Sequence, residues 1–162
     1  MMDRREMLRG SAMAMGFAAL TACGFRSGSA QAKDYPYKLT DAQWQQKLTS
    51  GQYAVLRRAA TEAPFTSPLN KEHRKGIFAC AGCDQKLFSS ATKYDSGTGW
   101  PSFWRPLPGG VGTSTDYVIG YARTEVHCAR CGGHLGHVFD DGPQPTGKRY
   151  CMNGVAMKFT PA

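Results

Sequence analysis

The chain has 162 residues, 41% of them hydrophobic, which is enough for one domain with a modest core and too apolar for a disordered tail. Its 20 basic and 12 acidic residues leave a formal charge of +8, but no Lys/Arg block concentrates it, which argues against a nucleic-acid partner. Clustered glycines and prolines, as in "LPGGVG" and "DDGPQPTG", favour short strands and turns over long helices.

Residues 1–32 differ from the rest. Arg4 and Arg5 precede the apolar run "SAMAMGFAAL", which is too short to span a bilayer and has the charged, apolar, small-residue order of an export signal. The doublet with Met7 and Leu8 resembles a twin-arginine signal. Two processing points compete. "LTAC" (Leu20 to Cys23) looks like a lipobox that would put a lipid on Cys23, and "AQA" (Ala30 to Ala32) is an ordinary small-x-small site. Either way the domain is expected outside the cytoplasm, periplasmic or anchored to the membrane through Cys23 alone.

Residues 33–38 ("KDYPYK") read as a linker to a single domain over 39–162. "TDAQWQQKLTSGQYAVLRRAAT" has helical spacing: Thr40 or Asp41 can cap, Trp44 and Leu48 are four apart, and Gly51 is expected to stop the first segment. A second short helix, "SGQYAVLRRAA", would set Tyr53 and Leu56 on one side. "TEAPFTSPLN" is a proline-punctuated loop. From "KGIFACAGC" onward the pattern is short strand, turn, short strand, with apolar pieces in "KLFSS", "DYVIGYARTEVHC", "HVFDD" and "GVAMKF".

"CAGC" (Cys80, Cys83) and "CARC" (Cys128, Cys131) share one spacing. A two-residue gap lets one knuckle present two sulfurs to an ion, and two knuckles supply the four thiolates of a tetrahedral zinc site. Such a site is structural, because four protein ligands leave no place for a water. Two disulfides, or a thioredoxin-like redox pair, remain the alternatives on spacing alone.

Cys151 is then the only unpaired thiol of the domain. A lone cysteine commonly serves as a small buried hydrophobe. Here Lys148 and Arg149 lie beside it, and nearby cations favour thiolate. In a strand, Arg149, Cys151 and Asn153 would share one face, too polar for a core. His134 and His137 in "GGHLGHVF" follow the second knuckle; with zinc already saturated they are candidate acid/base groups for a thiol enzyme. His73 and His127 lack such company and read as structural or surface residues. "SGTGWPSFW", residues 96–104, is either a core plug or an aromatic wall, with Trp100 the face to receive a small methyl or thioether group.

"CAGC", "KYDSGTGWPSFW", "CARCGGHLGHVFDDGP" and "GKRYCMNG", in that order, resemble the B-type methionine sulfoxide reductases over about Ala63 to Phe159. The resemblance implies a mainly β fold of two antiparallel sheets, a β-tent sandwich, with short N-terminal helices and a peripheral structural zinc. It implies reduction of methionine-R-sulfoxide, free or in oxidised proteins, by a monomer. Cys151 would be the nucleophile, and His137, with His134 nearby, would protonate the sulfoxide oxygen. Asn153 and Asp141 would hold the hydrogen-bond and water arrangement, Arg149 would favour the thiolate, and Trp100 would pack the substrate methyl. The pattern departs at Gly154, where serine is usual, and at Thr98, where many relatives place a resolving cysteine. Threonine cannot form a disulfide, so a thioredoxin-like protein or a small thiol is expected to reset Cys151. A zinc-scaffolded binding module is the other class the knuckles allow, but it would not need Cys151, His137 and Asn153 together.

Overall fold

The structure is a computed structural model that describes residues 34–117 and 120–162. The expected export signal, the lipobox at Cys23 and the "AQA" site fall outside those residues. Among the described residues, two short helices, α1 (Asp41–Lys47) and α2 (Ser50–Arg58), lead into nine strands. Each helix starts with a capping box, Thr40 with Gln43 and Thr49 with Gln52, in which each side chain bonds the other's backbone N–H. Thr49 therefore ends the first helical run by starting a second. Gly51, expected to be the stop, lies within the first turn of α2 instead. Trp44, Leu48 and Leu56 are buried as the spacing indicated, whereas Tyr53 is half-buried with its hydroxyl donating to Asp41, and Val55 is buried beside Leu56.

The strands are β1 (Gly76–Cys80), β2 (Lys86–Ser89), β3 (Lys93–Tyr94), β4 (Ser102–Phe103), β5 (Val111–Asp116), β6 (Arg123–Cys128), β7 (His134–Phe139), β8 (Arg149–Met152) and β9 (Met157–Pro161). They form two sheets, antiparallel throughout: β2-β1-β9, and β3-β4-β8-β7-β6-β5. The mainly β, two-sheet fold is as expected. Individual strands differ. Of "DYVIGYARTEVHC", Asp116 ends β5 and Arg123–Cys128 form β6, and Tyr117 and Tyr121 are exposed between the two strands. The polar edge strand β5, "VGTSTD", carries no apolar alternation and is held by its pairing with β6.

Between the sheets lies an aromatic core. Phe88 stacks on Phe103 at 4.3 Å, and Phe78 meets Phe103 and Phe159, each at 4.9 Å. Phe78, Phe88 and Phe103 are fully buried, so each contributes about 1.5–3 kcal/mol of apolar transfer. In β8, Met152 and Tyr150 turn toward this core, Tyr150 lying 5.9 Å from the Phe88 ring. Strand alternation then sends Arg149 and Cys151 to the opposite face of the six-stranded sheet. The packing of the core thus decides which way the thiol points.

Candidate active site

The four paired cysteines come together. Cys80–Cys83 closes β1 and Cys128–Cys131 closes β6, and the two turns match in detail. In each, the residue four past the first cysteine (Asp84, Gly132) has positive φ and donates its N–H to that cysteine's carbonyl, at 3.0 and 2.9 Å. All four sulfurs are buried and lie within 4.8 Å of one another, with Cys80–Cys131 at 3.8 Å and Cys83–Cys128 at 3.5 Å. A tetrahedron with Zn–S near 2.3 Å has sulfur–sulfur edges of about 3.8 Å, so the donor set fits a zinc ion. The same distances exclude disulfides, whose sulfurs sit about 2.05 Å apart. Arg130 donates to the Cys83 carbonyl (2.7 Å) and Arg57 to that of Cys131 (3.2 Å), so α2 and the second knuckle brace the cluster.

Cys151 stands elsewhere, half-buried on the outer face of β8. Its cross-strand partners are Ser102 on β4 and His137 on β7. Directly opposed residues have Cβ atoms about 4.5–5.5 Å apart on one face, so the register alone puts an imidazole beside the thiol. His134 is three residues from His137, a spacing that in a regular strand sends the two side chains to opposite faces. The ladder slips between Val126 and His127, which inserts one extra residue in β7. Both rings then lie together, with centroids 5.4 Å apart. Gly136 is required in this stretch, because a Cβ there would lie 2.1 Å from the Cys151 carbonyl oxygen.

Each histidine has its own carboxylate. His137 donates from Nε2 to Asp116 Oδ2 (2.8 Å), which Arg123 also holds (2.6 Å). His134 donates from Nδ1 to Glu125 Oε1 (2.8 Å), and Ser114 donates to Glu125 Oε2 (2.6 Å). Burial lowers the His137 pKa, with Arg123 and His134 adding to that effect and the Asp116 hydrogen bond opposing it. His127, 3.7 Å away, and His134, hydrogen-bonded at 2.8 Å, together hold Glu125 far below the ordinary carboxylate range. His127, expected to be structural, is buried beside Glu125 and fits that description.

Other sequence-predicted residues take distinct places. Arg149 forms a fork onto Asp141, with Nε–Oδ1 at 2.9 Å and Nη2–Oδ2 at 2.8 Å, and stacks over Phe139 at 4.5 Å. Asp141 thus meets the site through Arg149, with its own side chain 62% exposed. Asp141 raises the Arg149 pKa, burial opposes it, and the Cys151 sulfur adds to the rise, so guanidinium and thiol are within electrostatic reach. Asn153 is buried, its Nδ2 donating to the Leu135 carbonyl (3.0 Å) and its Oδ1 accepting from the Glu62 N–H (2.9 Å). Both ends of that amide are used in holding the chain. Trp100, Cys151, His137, Asn153 and Arg123 line one cavity of about 140 Å³, a size suited to one side chain. A larger hollow of about 550 Å³ lies between α2 and the Ser67–Leu69 turn and does not include the thiol.

Asp116, Arg123, Glu125 and Glu62 carried no sequence signal, since each gains meaning only through a distant partner. Glu62 is the most connected. Its carboxylate accepts from the N–H groups of Gly154 and Val155, its N–H meets Asn153, and its carbonyl accepts from the Trp100 indole (3.1 Å). One residue therefore ties the cavity wall to the chain just beyond Cys151. Glu62→Gln leaves one of two backbone donors without an acceptor. It is expected to cost about 1.5–3 kcal/mol in denaturant unfolding and to raise KM for a sulfoxide more than it lowers kcat, as steady-state assays would read.

A model of the SelR domain matches residues 48–161. A peptide methionine sulfoxide reductase MsrB of Agrobacterium fabrum is 54% identical over 123 residues, covering 75% of this chain and 91% of that protein. One of the same name from Leptospira interrogans is 50% identical over 127 residues, covering 78% and 97%. The chloroplastic peptide methionine sulfoxide reductase B1 of Oryza sativa is 49% identical over 127 residues, covering 78% of this chain and 59% of its own.

Proposed function

This chain belongs to the SelR-domain family of peptide methionine sulfoxide reductases and is an enzyme that reduces methionine sulfoxide, and from that premise we propose that Cys151 performs the reduction and is reset by a thiol from outside the chain. The observation that carries this reading is the opposition of Cys151 and His137 across β7 and β8 at the floor of a cavity walled by Trp100. In the proposed step the Cys151 thiolate attacks the sulfoxide sulfur while its oxygen gains a proton. The attack forms an S–S bond; that bond and the substrate S–O bond then break as the hydroxyl passes to the Cys151 sulfur and methionine leaves, so that Cys151 ends as a sulfenic acid. Two electrons pass from the thiol to the substrate.

Sulfoxide oxygen is a poor leaving group until it is protonated, and in this reading His137, opposite Cys151, supplies that proton. With Nε2 held by Asp116, the second ring nitrogen is the one left to exchange it. Arg149, on the Cys151 face of β8, presents its positive charge to the reacting sulfur, and Trp100 packs the methyl. Asn153 acts as a positioning residue, and Asp141 acts through Arg149. Among the described residues the other four cysteines are gathered in one cluster, which supports an external reductant, a thioredoxin-like protein or a small thiol. Zinc held by Cys80, Cys83, Cys128 and Cys131 would supply a structural cross-link between the two turns. The same reading takes residues 1–32 as an export signal, with a monomeric product outside the cytoplasm. The assay that tests the function compares R- and S-sulfoxides with several reductants, with Cys151→Ser as control. Turnover confined to the R form and lost in the variant supports it.

The buried imidazole gives a pH prediction. With its pKa lowered, His137 is protonated only below the usual histidine value of about 6.5. Its contribution to stability is complete above that value and is lost as pH falls through the depressed pKa. The acid-dependent limb of kcat/KM should therefore lie below that value, with activity declining as pH rises through it. Asp116→Asn removes an interaction that raises the pKa, so the limb should move to lower pH. The rate at neutral pH should drop about 10–100-fold. A pH–rate profile of both proteins is the check, and an unmoved limb contradicts the role given to His137.

A further inference from the structure

On the side of Cys151 occupied by β4, three hydroxyls form a chain that ends at the thiol. Ser102 Oγ donates to the Trp100 carbonyl (3.1 Å), Ser96 Oγ lies 2.7 Å from Ser102 Oγ, Thr98 Oγ1 lies 2.8 Å from Ser96 Oγ, and Cys151 Sγ lies 3.8 Å from Thr98 Oγ1. Ser102 is fully buried, directly opposite Cys151. A hydroxyl has one hydrogen to give. If Ser102 gives its hydrogen to the carbonyl, Ser96 must donate to Ser102 and Thr98 to Ser96. Thr98 then turns a lone pair toward the Cys151 thiol. Three rotor flips reverse the chain, giving up the carbonyl bond and aiming the Thr98 hydrogen at Cys151. No heavy atom need move.

Resting on the reading of Cys151 as the residue that becomes a sulfenic acid, we propose that Thr98 is a catalytic residue of the reset step, donating a hydrogen bond to the oxygen as it leaves Cys151. The 3.8 Å gap seats a sulfur-bound oxygen at ordinary hydrogen-bond distance from Thr98 Oγ1, about 2.7–2.8 Å, with a bent approach. In the step itself the incoming thiol's sulfur forms an S–S bond to Cys151. The Cys151 S–O bond breaks with its electron pair going to oxygen, and the proton shed by the incoming thiol completes a water. A second thiol then reduces the mixed disulfide, returning Cys151 and releasing the oxidised dimer. Negative charge gathers on the departing oxygen, and a donor already aimed there stabilises it. Ser96, donating in turn to Thr98, strengthens that bond. The side chain that cannot form a disulfide instead assists an external thiol.

The test is a two-stage rapid-mixing experiment on the whole chain. Enzyme is first given excess methionine sulfoxide without reductant, and then dithiothreitol, with the oxygen on Cys151 followed by quenching and intact mass. Thr98→Val, which keeps shape and loses the hydroxyl, is expected to slow the second stage about 10–100-fold, while Thr98→Ser restores it to within about threefold. Reset of Thr98→Val at the wild-type rate overturns the proposal, and so does a Thr98→Ser variant as slow as the valine. If the wild-type protein forms no oxidised Cys151 in the first stage, it is the underlying role of Cys151 that fails. The two failures are thus distinguishable.

Discussion

Cys151→Ser is expected to lower kcat/KM for methionine sulfoxide by at least about 10³-fold, a size in line with removal of a nucleophile. A serine hydroxyl fills nearly the same space, but it stays protonated at any pH the fold survives and has no oxidation state to receive the sulfoxide oxygen. Stability should barely respond. Cys151 is half-buried on the outer face of β8, whereas the core face is carried by Tyr150 and Met152. The substitution therefore removes no core packing, and melting within about 1 kcal/mol of wild type is expected. Single-turnover assays paired with denaturant unfolding separate the two effects. Appreciable turnover by the serine variant would remove Cys151 from the chemistry.

Loss of the metal should have the opposite signature, a failure of the fold with the cavity residues untouched. Four buried sulfurs within 4.8 Å of one another can all be thiolates only around a cation, and without one their charges repel in a site that excludes water. A structural zinc contributes on the order of 10–16 kcal/mol of binding free energy, as much as the whole stability of a typical domain. Chelation, or Cys131→Ser, which takes one ligand away, is expected to broaden or abolish the cooperative melt. Activity should fall as a consequence. Elemental analysis should find one zinc per folded chain. A metal-free protein that melts at the wild-type temperature would contradict the structural role.

The two centres were readable to different depths for a physical reason. Chemistry set by local spacing was legible: the knuckles at Cys80–Cys83 and Cys128–Cys131, and the shared face of Arg149 and Cys151, follow from turn and strand periodicity, whereas Asn153, read onto the same strand face, lies one residue past β8 and is buried. Chemistry set by partners far along the chain was not. Glu62 lies in what reads as a proline-rich loop, yet its four bonds reach Trp100, Asn153, Gly154 and Val155. Asp116 and Glu125 belong to a ladder whose outer strand has no apolar alternation, so neither pairing nor carboxylate–histidine contacts had a signature. The joint placement of His134 and His137 depends on one ladder slip at Val126–His127, which the spacing alone would have argued against. Thr98 was legible only as a missing cysteine; its hydroxyl chain needed the fold.

In the proposed reaction Cys151 takes the oxygen, and no other thiol of the described domain resolves it. Its most direct test is the intact mass of the protein, with peptide mapping, after one turnover on methionine-R-sulfoxide without reductant. One methionine should be released per chain, with a single added oxygen mapped to Cys151 with a sulfenic-acid trap. A disulfide between Cys151 and another cysteine of the same chain, or methionine released with Cys151 unmodified, would contradict it.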